Sequence, residues 1–172
     1  MLLALSSLLL SAPVEFDLLP RPGEQPIVEV VSRFDRALIS RIGDSPSELF
    51  RLAPRQFEEF VAELWRGFGY EVELTAQTRD GGKDIIALQQ REVKSRYIIE
   101  CKRYAADNKV GIDVVQRVLG VRYSERASMG IIATTSSFTA PAQAVLDDHP
   151  WELDGRNFEA IQGWIRQYLA ER

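Results

Sequence analysis

Histidine and cysteine are almost absent from this chain of 172 residues, each occurring once, as His149 and Cys101. A single cysteine excludes disulfides within the chain and a cysteine-based zinc site, and it fits a reducing, cytoplasmic location. A single histidine excludes His-rich metal centres and speaks against a Ser-His-Asp triad; His149, followed by Pro150, reads as a loop residue. Excess positive charge is also missing, since 21 Lys and Arg face 25 Asp and Glu, for a net charge of −4. The chain is therefore no general nucleic-acid coat, and any polyanion has to meet a local patch. A membrane-spanning run of about 20 apolar residues is lacking too. The opening MLLALSSLLL is too short for that, and no Lys or Arg precedes Arg21 to form the charged leader of a signal peptide. It reads as a short helix packed on the domain or on a partner chain, with membrane association not expected; the alternative is a processed or membrane-associated segment. No helix-turn-helix or zinc-finger pattern, internal repeat or low-complexity tract is visible.

What is present is ordinary for a folded domain: 45% hydrophobic and 27% charged residues. Residues 1–50 form an N-terminal portion for docking or dimerisation. It holds the apolar segment, a proline-rich linker at 13–26 and a helix at 27–42 closed by Gly43. Residues 51–172 form the main domain. Its clearest helix starts at Pro54, carries an apolar stripe (Phe57, Phe60, Val61, Leu64, Trp65, Phe68) and ends at Gly69. The period then changes to alternation at 71–76, followed by a turn at 78–83 and β-prone runs at 84–88 and 97–103, with a polar connection at 89–95. A helix at 110–122, a buried strand at 130–135, a helix at 139–146, a short strand at 151–153 and a helix at 157–169 complete the chain. Three antiparallel strands and a parallel strand–helix–strand step predict an α/β three-layer domain, a mixed central sheet flanked by helices.

Within this pattern, Asp84, Glu100 and Lys102 are charges set among strand residues. In Ile98-Ile99-Glu100-Cys101-Lys102, alternation puts Glu100 and Lys102 on one face, with Ile99 and Cys101 on the other. A hairpin brings Asp84 beside them. Two carboxylates make a hard-oxygen site suited to Mg²⁺ or Mn²⁺, which suits phosphodiester hydrolysis. The lysine can orient or help deprotonate a water, or steady a phosphate as a point charge. Gly81 and Gly82 keep the approach to Asp84 clear. Alternation alone leaves Glu100 and Lys102 equally readable as a solvated cross-strand pair.

The ordered set Phe57-Glu58, Gly69-Tyr70, Asp80-Gly81-Gly82-Lys83-Asp84, Glu100-Cys101-Lys102-Arg103-Tyr104, Gly120 and the segment from Gly130 to Thr139 resembles the Mrr-type catalytic domain of the restriction-endonuclease-like PD-(D/E)xK nuclease superfamily. The resemblance covers roughly residues 54–169. It implies a restriction-endonuclease-like three-layer fold and a metal-dependent endonuclease acting on DNA, in restriction, defence or DNA processing. The alternative is a catalytically silent nuclease-fold module that binds nucleic acid or a protein. It also implies roles: Asp84 and Glu100 as ligands of Mg²⁺ or Mn²⁺, the Cys101 backbone carbonyl as a third ligand, Lys102 as the catalytic lysine, and Glu58, in preference to Glu59, as a supporting acid. Many relatives carry Gln where this chain has Glu100, so the acid here completes the set. Arg79, Lys83, Lys94, Arg96, Lys102, Arg103, Lys109 and Arg117 concentrate basic charge around the site, as phosphate contacts would and as a solvated surface also would; Lys83, Arg103, Lys109, Gln116, Thr135 and Ser136 are the candidate nucleic-acid contacts. Gln116 also reads as an exposed helix residue, and the hydroxyls also read as a cap for the next helix. Cys101 is expected to pack as a small hydrophobe. A homodimer would bring two sites to two strands.

Overall fold

The alternating segments in the middle of the chain pair into one mixed sheet. The structure, a computed structural model, describes residues 34–76 and 82–171. In chain order these form helix α1 (Arg36–Asp44), a 3-10 turn (Pro46–Arg51), helix α2 (Pro54–Gly67), strands β1 (Glu71–Leu74), β2 (Ile85–Gln90) and β3 (Lys94–Lys102), helix α3 (Ile112–Ser124), strand β4 (Met129–Thr134), helix α4 (Ala140–Asp148), strand β5 (Leu153–Arg156) and helix α5 (Phe158–Ala170). The strands lie side by side in the order β1 to β5. The first three pair antiparallel; β3–β4 and β4–β5 pair parallel. Helices α3 and α4 carry the two parallel connections, as the strand–helix–strand spacing requires.

Both faces of the sheet are covered. One face packs Ile85, Ala87, Ile99, Cys101, Ile131 and Ala133 against side chains of α1, α2 and α5. The other packs Ile98 and Ile132 against Val114, Val115 and Val118 of α3 and Ala142 and Leu146 of α4. Phe57 and Phe60, fully buried on α2, each contribute about 1.5–3 kcal/mol by leaving water. The end of α2 follows from its sequence: Gly69 takes φ +86°, so its N–H reaches Arg66 O at 2.9 Å and that of Tyr70 reaches Trp65 O at 3.2 Å. The same turn stacks Tyr70 on Trp65, ring centroids 4.7 Å apart.

Several boundaries differ from the sequence expectation. The apolar segment, the proline-rich linker and the start of the helix expected at 27–42 lie outside the described residues, as do Arg79, Asp80 and Gly81. The described part of that helix begins at Arg36, where the Asp35 side chain accepts the Leu38 N–H at 2.8 Å. Gly43 lies within α1 and is no cap: a Cβ there would stand 3.1 Å from Ile165 Cγ2, so its smallness serves the approach of α1 to α5. Gly120 likewise lies inside α3. The β2–β3 hairpin turns in three residues, because Gln89, Gln90, Lys94 and Ser95 pair across it despite their polarity. Strand β5 begins at Leu153, leaving Trp151 outside and 84% exposed.

Candidate active site

Strand β3 lies centrally, between β2 and β4, and its alternation sets the site. Ile99 and Cys101 enter the α2–α5 core while Ile98 enters the α3–α4 core, so Glu100 and Lys102 project on the α3 side. Asp84 stands just before β2. Its N–H donates to the Ile99 carbonyl at 2.9 Å, which extends the β2–β3 register by one pair and sets Asp84 opposite Glu100. Its Oδ2 accepts the Cys101 N–H at 2.7 Å. Both acids are buried, at 7% and 3% exposure.

Lys102 Nζ donates to Glu100 Oε1 at 2.5 Å. Arg117, from α3, donates to the same oxygen at 3.2 Å. The other oxygen, Oε2, is buried without a hydrogen-bond donor. Burial pushes the Asp84 carboxyl up to about 7; the Glu100 charge adds to this, the Cys101 N–H opposes it, Glu58 adds and Lys102 opposes. Burial would lower Lys102, but the hydrogen bond and charge of Glu100, with Asp84 and Tyr104, outweigh it and hold Lys102 above its ordinary value. Lys102 is thus a fixed cation at neutral pH in this arrangement. Burial, then the surrounding acids, pushes the Cys101 thiol well up. It is a packing residue, as expected.

Glu58 acts on Asp84 through its charge and pairs with Arg55 at 2.7 Å, whose guanidinium also reaches the Thr75 carbonyl at 3.0 Å. Glu59 instead lies on the buried face of α2. Among the described residues, no three His, Cys, Asp or Glu side chains form a group that could hold a metal ion, so Glu58 acts on Asp84 by its charge and does not complete a three-carboxylate cage. An oxygen donor set with one buried carboxylate oxygen lacking a donor fits a hard divalent cation.

The other candidates scatter. Lys83 donates to Glu125 Oε1 at 2.5 Å, and Arg96 to Glu125 Oε2 at 2.9 Å, so Lys83 ties the segment before β2 to the end of α3. Arg103 donates to the Phe50 carbonyl at 3.5 Å. Lys109 is exposed in the loop before α3, and Gln116 is exposed on α3 itself. Thr135 and Ser136 are buried. The Thr135 hydroxyl donates to the Tyr104 carbonyl at 2.6 Å and accepts the Tyr104 N–H at 2.9 Å, while that of Ser136 donates to the Ala106 carbonyl at 3.1 Å. These hydroxyls fasten the loop after β3 and present no free donor to a phosphate. They do not cap α4 either, a task taken by Thr139. Arg55 is a site residue that the sequence did not point to, whereas Arg117 is one of the basic residues the sequence concentrates around the site. The phase of α3 decides that Arg117, and not its neighbour Gln116, meets Glu100.

A mixed sheet whose central strand carries an acid and a lysine beside a second acid defines the restriction-endonuclease-like fold. The chain resembles the DNA modification-dependent restriction endonuclease AspBHI in structure, with a TM-score of 0.61 and 23% identity over 88% of this chain and 42% of that one. Residues 49–161 match the Mrr catalytic-domain model, described as a restriction endonuclease, and the chain belongs to this family. Among curated proteins it is 35% identical over 102 residues to the uncharacterised protein y4cE of Sinorhizobium fredii, spanning 59% of this chain and 26% of that protein. It is 30% identical over 101 residues to the type IV methyl-directed restriction enzyme EcoKMrr of Escherichia coli, spanning 55% of this chain and 32% of that enzyme. The chain thus spans about a third or less of the length of these relatives. Among the described residues, no helix is long and apolar enough to cross a membrane.

Proposed function

We propose that this domain is an endonuclease that hydrolyses DNA phosphodiester bonds with a bound Mg²⁺ or Mn²⁺, in restriction-type defence or DNA processing. The observation that carries this reading is the buried Asp84–Glu100 pair, with Glu100 Oε2 open and Lys102 fixed on Oε1. Asp84, Glu100 and the Cys101 carbonyl would hold the cation. When bound, it would supply charge neutralisation and a lowered water pKa.

The chain's own residues do the rest. The Cys101 N–H orients the Asp84 carboxylate. Lys102, protonated, offers a point charge to the phosphate once the charge on Glu100 is shared with the cation. The charge of Glu58 acts on Asp84 and adds to the negative potential that favours a cation at the pair. Arg55 anchors Glu58 to the end of β1. Membership of the Mrr family and the DNA-restricting relatives support DNA as the substrate.

A cleavage panel tests this: plain, methylated, branched and single-stranded DNA with Mg²⁺ or Mn²⁺, comparing the unaltered chain with Asp84→Ala and Lys102→Ala. Cleavage lost in both variants and in EDTA is expected. Equal cutting by all three proteins would sink the reading. Binding of DNA with no cleavage in either metal would favour a silent binding module.

A further inference from the structure

We propose that Arg117 is a second phosphate-binding cation of the site, seated by Glu100 and by the glycine turn ahead of Asp84; this rests on the DNA-cleaving reading above. Arg117 lies on α3 and crosses to the catalytic strand, where its guanidinium meets Glu100 Oε1 at 3.2 Å, on the oxygen already held by Lys102. Among the described residues this is the one acceptor it meets. A guanidinium has five N–H donors in a planar fork, so most remain available. Its side chain is 44% exposed, whereas that of Lys102 is 22% and that of Glu100 4%. Arg117 therefore stands on the solvent side of the site, where an incoming backbone phosphate arrives.

The stem is confined as well as the head. Gly82 has φ +89°, and a Cβ built on it would stand 3.0 Å from Cδ and Nε of Arg117 and 3.1 Å from Cγ. The turn that delivers Asp84 thus also forms the seat along which Arg117 runs. A freely solvated arginine would have no such seat. Two cations on one oxygen over-neutralise Glu100, so one of them can turn to a phosphate without stranding a buried acid. The fork is the better candidate, because it grips two phosphate oxygens at once, while the lysine acts as a point charge.

The test uses Arg117→Met, which keeps the stem and removes the charge, and Arg117→Lys, which keeps the charge and removes the fork. Arg166→Met, on the exposed side of α5, is the control. Binding of a short fluorescein-labelled duplex is followed by anisotropy over a salt series with Ca²⁺, and cleavage is followed with Mg²⁺. Arg117→Met should flatten the salt dependence by about one phosphate contact, a change in slope of ~0.9. It should also slow cleavage by about a hundredfold, and Arg117→Lys should restore the slope but only part of the rate. The control should match the unaltered chain. Equal slopes for Arg117→Met and the unaltered chain overturn the proposal, whatever the rates. An Arg117-dependent slope in a chain that cuts nothing overturns the nuclease reading and leaves the phosphate contact standing. Absence of DNA binding by the unaltered chain overturns both.

Discussion

Replacing Asp84 by Asn removes one buried charge and keeps the shape of the side chain, including an oxygen able to accept the Cys101 N–H. Asp84 has its carboxyl raised from an ordinary 3.8 to about 7, chiefly by burial and then by Glu100. A group raised in the folded state holds its proton while the unfolded chain has already lost it. Its contribution to stability is complete below the unfolded value and is lost as pH rises to the folded value. The metal-free protein should therefore weaken relative to Asp84→Asn by about 1.4 kcal/mol per pH unit between about pH 4 and pH 7. The gap should reach ~4 kcal/mol at most and stay constant at higher pH. A bound cation narrows the gap, because it takes the place of the proton. At a hundred times its dissociation constant, Mg²⁺ or Mn²⁺ should stabilise the unaltered chain by about 2.7 kcal/mol, and Asp84→Asn by far less. Urea unfolding across pH, in EDTA and in Mn²⁺, measures both effects. Parallel pH curves in EDTA, together with equal stabilisation of both proteins by Mn²⁺, would refute the reasoning.

Other consequences can be measured directly. Lys102→Met should cut the cleavage rate by about a hundredfold or more through loss of a positioned charge, while circular dichroism reports an unchanged fold. Metal affinity should rise about tenfold per pH unit below pH 7, because the proton on Asp84 competes with the cation; isothermal titration with Mn²⁺ over that range tests the slope. Glu125→Ala leaves Lys83 and Arg96 without the carboxylate they share and should lower unfolding stability by ~1 kcal/mol, the modest scale of partly exposed ion pairs. Gly67→Ala brings a methyl group within 2.1 Å of the Tyr168 ring, so it should destabilise by about 1–3 kcal/mol, visible as a lower urea midpoint.

Period-two alternation made the site face legible: Glu100 and Lys102 had to share a side, and the Asp84 hairpin had to bring a second acid to it. The helix stripe from Phe57 to Phe68 was equally plain, and so was its end at Gly69. The phase of α3 was not legible, since Val114, Val115, Val118, Leu119 and Val121 leave it little polar contrast. That is why Arg117 stands in the sequence as one basic residue among several near the site, with nothing to single it out from its neighbour Gln116. The duties of Thr135 and Ser136 were hidden for another reason: their partners, Tyr104 and Ala106, lie some 30 residues away in a loop whose path no local rule fixes. Lys83 carried the same ambiguity, because its carboxylate partner, Glu125, is 42 residues distant. Gly43 fits the local pattern of a helix end, but the crowding by Ile165 that it relieves arises only from packing between elements far apart in the chain.

Strand β3 is hydrogen-bonded on both edges, antiparallel to β2 and parallel to β4, and packed above and below. Segments of that kind open only when the whole domain unfolds, whereas loops and edges open locally. The amides of Ile99, Glu100 and Cys101 should thus be among the last to exchange with deuterium, at rates set by global stability. The acids of this site are carried on the least yielding part of the molecule. Change in what the site accepts then falls to what surrounds the acids: the loop after β3 and the exposed face of α3.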